Sequence, residues 1–380
     1  MNIDAILALL SGGLLLLLGA ECLVRGAARL AVLIGLSPLV IGLTIVAYGT
    51  SAPELAVSIQ AALANQGDIA LGNVLGSNIF NVLMILGLSA VAMPLTVAQQ
   101  LIRLDVPILI GVSGLLLLFS LDGTLHVSDG MVLLAGSAVY TLFLVVQSRR
   151  ESDSQVQTEY AEAYGQGKPS LRAWLINPVL IVVGGGFLVL GSRLLVQGAV
   201  AIAQALGLSE LVIGLTIIAA GTSLPELATS MMASLRGERD IAVGNVIGSN
   251  IFNILSVLGA AAIFSWDGIP VATSILRFDL PIVIVVAVAC LPIFATGNVI
   301  SRWEGLLFLG YYVAYNAYLI FRAADYEHIA LFSRVMLLFV IPLTLITVVT
   351  ITWRWLGRNR RPRAPAVEPP SSPPQNMPRH

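Results

Sequence analysis

The chain alternates long apolar runs with short polar stretches. A run of about 20 mostly apolar residues is long enough to cross the hydrocarbon core of a bilayer as a helix. On that measure spans are predicted near residues 5–32, 38–64, 69–93, 104–121, 129–147, 174–205, 210–235, 241–264, 278–297, 303–321 and 329–355. The order is five spans, a polar loop over 148–173, five more spans and one further span. The tail, 356–380, is Arg-rich and then Pro-rich, a composition that predicts disorder.

Two of these stretches repeat one another. The first carries Gly42-Leu43-Thr44-Ile45, then Gly49-Thr50-Ser51-Ala52-Pro53-Glu54, then Gly72-Asn73-Val74-Leu75-Gly76-Ser77-Asn78-Ile79-Phe80-Asn81. The second carries Gly214-Leu215-Thr216-Ile217, then Gly221-Thr222-Ser223-Leu224-Pro225-Glu226, then Gly244-Asn245-Val246-Ile247-Gly248-Ser249-Asn250-Ile251-Phe252-Asn253. Every matched pair is 172 residues apart, and roughly two-thirds of the aligned positions are identical, which marks an internal duplication. The match extends to Gly19 with Gly191 and, after a two-residue slip, to Arg103-Leu104-Asp105-Val106-Pro107 with Arg277-Phe278-Asp279-Leu280-Pro281. Each half holds five spans. An odd number makes the second half enter the membrane from the opposite side. The expected fold is therefore an all-α polytopic membrane protein: a 5+5 inverted-topology repeat with broken helices at the midplane, plus an eleventh C-terminal transmembrane helix. The expected divisions are 1–147 and 174–321 for the two halves, 148–173 for a cytoplasmic loop, 322–355 for the extra helix and 356–380 for the tail.

Composition agrees with the spans. The chain is 57% hydrophobic and 11% charged, where soluble domains carry about 25% charged residues. A net charge of −1 argues against a nucleic-acid partner, and no segment points to an obligate protein partner. The two cysteines, Cys22 and Cys290, lie in apolar runs and argue against a disulfide framework or a Cys-based metal site. The start of the chain has no basic n-region and reads as a first membrane helix rather than a cleaved signal. With the N-terminus outside and the C-terminus cytoplasmic, Arg25, Arg29, Arg103, Arg149, Arg150, Lys168, Arg172, Arg236, Arg239 and Arg302 collect with the tail arginines on the cytoplasmic side, as the positive-inside rule asks. The expected location is the plasma membrane, the inner membrane if the source is bacterial. The opposite loops carry Asp68, Asp122, Asp129, Asp267, Asp325 and Glu327, which read as ordinary solvated loops.

The repeated motif places polar chemistry at membrane depth, where an ionisable group is by default functional. Pro53 lacks an N–H, and its ring meets the carbonyl of Gly49, so the helix breaks there. Carbonyls near Ala47 and Thr50 are expected to lose their donors. Irregular backbone in lipid survives only where it is buried in protein or lines a wet cavity, and a cation is one partner for it. Thr50, Ser51 and Glu54 cluster at the break, and Ser77 and Asn81 share a face of the next helix with Asn73 continuing the stripe. The second copy repeats the set as Ala219, Thr222, Ser223, Glu226, Asn245, Ser249 and Asn253, with Gly221 and Pro225 at the break. Every side-chain donor to a cation here is oxygen, with one carboxylate per half, which fits a hard cation, Ca²⁺ first and Na⁺ as its rival of similar size. Two carboxylates close together in low dielectric cannot both stay ionised without a cation, so an empty site is unfavourable. Gly72-x-x-x-Gly76 and Gly244-x-x-x-Gly248 read as close-packing seams.

These residues resemble the cation/calcium exchanger superfamily, and most closely its compact prokaryotic sodium/calcium antiporters. The resemblance covers residues 1–321. It implies ten core helices in two inverted halves, a central cluster of four cation sites, and alternating access by sliding of the first and sixth spans. It implies as ligands Glu54, Thr50, Ser51, Ser77, Asn81 and the Ala47 carbonyl, with Glu226, Thr222, Ser223, Ser249, Asn253 and the Ala219 carbonyl. Asn73, Asn245, Pro53, Pro225, Gly49 and Gly221 are expected to support these ligands or shape the helices. The family pattern has an aspartate at the position of Asn253, so this chain has one carboxylate fewer.

The expected function is a secondary antiporter that exchanges Ca²⁺ for Na⁺, with no cofactor. The alternative on the same fold is Ca²⁺/H⁺ exchange. A passive cation channel is a weaker rival, since broken helices also build filters. No nucleophile–base pair or His/Asp metal set lies within the spans, which argues against an intramembrane enzyme. Glu21 and Arg25, four apart, read as an intrahelical pair, with a bridge from Glu21 to Arg193 as a further option. Asp105 and Asp279 read as helix starts near the interface. His126 and His328 read as loop residues. Trp174, Trp303, Trp353 and Trp355 read as an interfacial belt.

Overall fold

A computed structural model describes residues 3–150, 171–206, 219–323 and 349. Predictions for the eleventh span, the tail, the middle of the polar loop and the first part of span 210–235 fall outside the described residues.

Helix α1 runs Ile3–Ile34. A bent pair follows, α2 (Pro38–Thr50) and α3 (Ala52–Leu63), set at 47°. Next come α4 (Gly67–Ala92), α5 (Leu101–Phe119) and α6 (Val127–Arg150). The second part holds α7 (Leu171–Ala205), a short turn α8 (Ala219–Gly221), then α9 (Leu224–Leu235), α10 (Arg239–Phe264), α11 (Ile275–Ala295) and α12 (Arg302–Ala323). Among the described residues seven helices are long and apolar enough to cross a membrane, and the bent pair makes an eighth. Helix α12, which carries Tyr311, Tyr312, Tyr315 and Tyr318, is not among them. The protein is a helical polytopic membrane protein.

Burial sorts these helices. In the most apolar window of α4 and of α10, 78% and 89% of residues are buried in protein, against 22–39% for the other five single-helix spans. The two helices that carry the Gly-Asn-Val motif are therefore central, and the rest turn much of their surface to lipid. Two short antiparallel pairings tie the first part of the chain to the second. Leu95–Thr96 pairs with Val299–Ile300, and Thr124–Leu125 pairs with Ile269–Pro270.

Helices α1 and α7 lie along one another on glycines. Gly12, Gly19 and Gly26 repeat every seven residues, as do Gly184, Gly191 and Gly198. A repeat of seven keeps one face of a helix on its partner over several turns. A Cβ built on Gly191 would stand 2.8 Å from the Gly12 carbonyl oxygen and 2.8 Å from the Leu16 nitrogen. Only glycine lets the two backbones come that close. The seam expected at Gly244 and Gly248 is also real: their added Cβ atoms would lie 2.9 Å from the Leu39 oxygen and 2.6 Å from the Leu43 oxygen. At Gly72 and Gly76 no described residue comes within 4 Å of such a carbon.

Several local expectations need correction. Asp105 and Asp279 do not open their helices; each ends a wide turn, Leu101–Asp105 and Ile275–Asp279, and the chain is already helical before it. Asp105 is buried and accepts from Tyr140 Oη at 3.0 Å and Gln100 Nε2 at 3.2 Å. Tyr315 Oη donates to Asp279 at 3.2 Å. Glu21 does pair with Arg25, but its other partner is Arg236 rather than Arg193. Arg236 follows the end of α9, which packs on α1, and its Nε donates to Glu21 Oε2 at 2.6 Å. His126 lies 3.2 Å from Asp122 on an exposed turn.

The α1–α7 seam yields a signed prediction. Gly191→Ala drives a methyl group into backbone and is expected to cost about 1–3 kcal/mol. Gly185→Ala, on the same helix with nothing within 4 Å of its Cβ, is expected to be neutral or to gain up to about 1 kcal/mol from helix propensity. Thermal unfolding of the purified chain in detergent measures both, and equal melting shifts would refute the close approach.

Candidate functional site

Both helix breaks form as the prolines dictate. Ser51 (φ −83°, ψ 10°) and Ser223 (φ −90°, ψ 7°) leave the helical region, and α3 and α9 restart with Pro53 and Pro225 in their first turns. Leu55 and Leu227 donate their N–H groups to the carbonyls of Ser51 and Ser223 at 3.1 Å each, so both helices resume at once. The carbonyl of Ala47 is not stripped of its donor: Ser51 N–H reaches it at 3.0 Å. The break falls after that bond, and Thr50 Oγ1 also lies 3.4 Å from the Ala47 oxygen. In the second copy the Gly221 carbonyl, four residues before Pro225, accepts from Ser192 Oγ of α7 at 2.5 Å. The repeat equivalent of Ser192 is Ala20, which cannot do the same for Gly49.

The two carboxylates are reached from the opposite copy. Glu54 and Glu226 are both fully buried. Glu54 Oε1 accepts from Ser223 Oγ at 2.9 Å and from Ser77 Oγ at 3.4 Å. Glu226 Oε1 accepts from Ser51 Oγ at 2.7 Å. Ser223 Oγ also lies 2.9 Å from Ser77 Oγ. Each break thus sends its serine to the other break's glutamate, which brings Glu54 and Glu226 into one polar centre.

Threonines flank this centre through matched relays. Thr50 Oγ1 donates to Asn245 Oδ1 at 3.2 Å, and Asn245 Nδ2 donates to Ser230 Oγ at 2.9 Å. Thr222 Oγ1 donates to Asn73 Oδ1 at 3.2 Å, and Asn73 Nδ2 donates to Ser58 Oγ at 2.9 Å. All three positions in each relay are 172 apart. A threonine hydroxyl has one proton and two lone pairs. With the proton sent to asparagine, the lone pairs stay available to a cation.

Asn81 and Asn253 sit in wide helical turns, Phe80–Leu86 and Asn253–Leu258, of the kind that often marks functional sites. Asn81 Nδ2 donates to Asn250 Oδ1 at 3.0 Å, and Asn253 Nδ2 donates to Asn78 Oδ1 at 3.1 Å. Their own oxygens are left over. Glu54 Oε2, Glu226 Oε2, Asn81 Oδ1, Asn253 Oδ1 and Ser249 Oγ are buried and have no hydrogen-bond partner among the described residues. Each such group costs about 1–3 kcal/mol, so five cost about 5–15 kcal/mol, as much as a whole domain's stability. A set of orphan oxygens from both copies, with two carboxylates and no sulfur or imidazole, has the chemistry of a hard-cation site. Among the described residues no cluster of three His, Cys, Asp or Glu side chains offers a rival metal centre.

The structure therefore brings together Thr50, Ser51, Glu54, Ser77 and Asn81 with Thr222, Ser223, Glu226, Asn245 and Asn253. Ser249 is buried beside them on α10. Ala219 opens the turn α8. Gly49, Gly221, Pro53 and Pro225 shape the breaks, and Asn73 holds Thr222. Four participants were not singled out from the sequence: Ser58, Ser230, Asn78 and Asn250. The signal was present, since each pair recurs at the 172-residue offset. Ser192 had no such signal.

Several known proteins are similar to this chain over most of its length. The CaxA protein of Alkalimonas amylolytica is 41% identical over 320 residues, 83% of this chain and 98% of its own. Sodium/calcium exchanger MaX1 of Methanosarcina acetivorans is 32% identical over 345 residues, 81% of this chain and 96% of its own. The solved sodium-calcium exchanger NCX_Mj, in the form soaked with zero Na⁺ and Ca²⁺, superposes with a TM-score of 0.72 at 31% identity, covering 84% of this chain and 100% of that one. The family described as sodium/calcium exchanger protein matches residues 5–147 and 176–321, and on that match the chain belongs to the sodium/calcium exchanger family.

Proposed function

We propose that the chain is a secondary antiporter that exports Ca²⁺ against inward Na⁺ through one alternating-access site built on Glu54 and Glu226. The observation that carries the reading is the set of five buried, partnerless oxygens drawn from both copies. Two carboxylates match the charge of one Ca²⁺ or two Na⁺. Thr50, Ser51, Ser77 and the Ala47 carbonyl, with Thr222, Ser223, Ser249 and the Ala219 carbonyl, supply neutral oxygen around them.

The same reading takes 1–147 and 174–321 as two five-span halves of inverted topology. It is supported by the contacts that recur at the 172-residue offset with the roles of the halves exchanged. It also takes 322–355 as an extra helix and 356–380 as a cytoplasmic tail. The protein sits in the plasma membrane with its N-terminus outside. Its partners are the transported cations and the bilayer.

Exchange of Ca²⁺ for H⁺ is the second reading, and Asn253 favours it. An amide there gives the site two carboxylates where the family pattern implies three, which leaves less charge to hold several Na⁺ at once.

Uptake of ⁴⁵Ca²⁺ into Na⁺-loaded liposomes tests the site. Glu54→Gln and Glu226→Gln are each expected to reduce uptake at least about tenfold, the factor that corresponds to about 1.4 kcal/mol. Normal transport by either variant removes the site from these residues.

A second measurement separates the coupling ions. With the pH equal on both sides, uptake is expected to follow the Na⁺ gradient. Uptake that follows an imposed pH gradient and ignores Na⁺ would replace Na⁺ by H⁺.

A further inference from the structure

At the crossing of α4 and α10 two asparagines hold each other. Asn78 Nδ2 donates to the Asn250 backbone carbonyl at 3.2 Å, and Asn250 Nδ2 donates to the Asn78 backbone carbonyl at 3.2 Å. Their side-chain oxygens point the other way, each to the amide of the other copy's family-implied ligand. Asn250 Oδ1 takes Asn81 Nδ2, and Asn78 Oδ1 takes Asn253 Nδ2. All four side chains are at most 2% exposed.

An asparagine amide has two faces, a carbonyl oxygen and an NH₂ group. Only the oxygen can bind a cation, and the NH₂ turned toward one repels it. The two faces have nearly the same shape, so packing alone does not choose between them. A fixed acceptor on one side does choose. We propose that Asn78 and Asn250 are positioning residues: their reciprocal clamp takes up the N–H groups of Asn253 and Asn81 and so aims those two oxygens at the ion.

The clamp makes a prediction opposite in sign to simple charge. An aspartate at 253 adds a negative charge to a cation site, which by itself tightens Ca²⁺. But a carboxylate has no hydrogen for Asn78 Oδ1, so two acceptors would face each other. Asn78 cannot turn round to help. Its Nδ2 is held by the Asn250 carbonyl, and the turned amide would set Oδ1 against that oxygen. The aspartate keeps the bond only by taking up a proton and donating it to Asn78 Oδ1, and as the neutral acid it brings the ion no added charge; ionised, it must swing away or force the clamp open.

This inference rests on the ion site proposed above, and the test separates the two. The full chain is assayed in liposomes at pH 8 for the KM and maximal rate of ⁴⁵Ca²⁺ uptake, with thermal unfolding measured alongside. Asn78→Ala is expected to raise the Ca²⁺ KM about tenfold, corresponding to about 1.4 kcal/mol, with the maximal rate largely kept, and Asn253→Asp is expected to leave the KM unchanged or raise it. In the double variant the carboxylate no longer faces Asn78 Oδ1 and is free to ionise beside the ion, and the KM is expected to fall below that of Asn78→Ala alone. A merely structural role predicts losses that multiply instead. A KM lowered by Asn253→Asp overturns the clamp, as does a double variant with a KM no lower than that of Asn78→Ala. If Asn78→Ala does not fold, Asn253→Asp and its counterpart Asn81→Asp, which change no volume, carry the test by the sign of their effect. Glu54→Gln and Glu226→Gln run in parallel. If they abolish uptake while Asn253→Asp tightens Ca²⁺, only the clamp fails; if they transport normally, the ion site itself fails.

Discussion

A polar group inside a bilayer must find its partner within the protein. Nearly every unusual feature of this chain is an answer to that demand. Proline breaks two helices and frees backbone carbonyls; Ser192 takes one of them. Threonine, asparagine and serine form two relays that use up each other's donors. What is left is a small group of acceptors at the centre of the molecule. They are left because, among the described residues, the hydroxyls and amides of Thr50, Thr222, Asn81 and Asn253 send their protons to other acceptors. A cation site in lipid is thus made by controlling the donors as much as by collecting oxygens.

The two copies are not equivalent in detail. Ser77 reaches Glu54, but its repeat mate Ser249 keeps a free hydroxyl oxygen. The Ser192 contact has no mate, since Ala20 stands in its place. On one side only, Tyr48, Thr141, Ser137 and Ser256 form a chain of hydroxyls, with spacings of 2.5–3.1 Å, between α2, α6 and α10. The repeat mate of Tyr48 is Ala220 and that of Ser256 is Met84, so the chain cannot be copied. Two copies with unequal fittings would give the ions of the proposed site unequal subsites.

Much of this was legible in the sequence, for physical reasons. Spans show because lipid demands length, and the ends of α1, α4 and α10 fall within two residues of those read from apolar runs. The breaks show because proline lacks an N–H. The two glutamates show because charge in lipid is costly. What did not show is pairing across the fold. The partner of Glu21 is 215 residues away, at Arg236, and nothing local to either residue names the other. Asn78 and Asn250 stood inside the quoted motif, yet their work depends on how α4 crosses α10. The break was placed at Gly49 from Pro53, but the loss of donors was extended to Ala47, whose carbonyl still takes the Ser51 N–H because the helix holds for one more bond before it breaks.

The family resemblance implies that the first and sixth spans slide, and the packing bears on what that motion costs. Helices α1 and α7 touch backbone to backbone along a glycine seam while most of their remaining surface faces lipid. A pair joined so closely moves as one body, and lipid does not resist it as a packed core would. Among the described residues two polar ties link it to the centre, besides the apolar packing of residues such as Leu23 and Val24: Glu21 to Arg236 at the end of α9, and Ser192 to the Gly221 carbonyl. A partly exposed ion pair is worth about 0–1 kcal/mol, and a single hydrogen bond about 0.5–1.5 kcal/mol. Breaking both costs about 0.5–2.5 kcal/mol, less than the proposed site would lose if its oxygens were left without a cation. On that proposal, these polar ties favour movement of the α1–α7 pair past the centre over opening of the centre itself. The Asn78–Asn250 clamp joins α4 to α10 and takes part in neither tie, so breaking the ties leaves its hydrogen bonds in place.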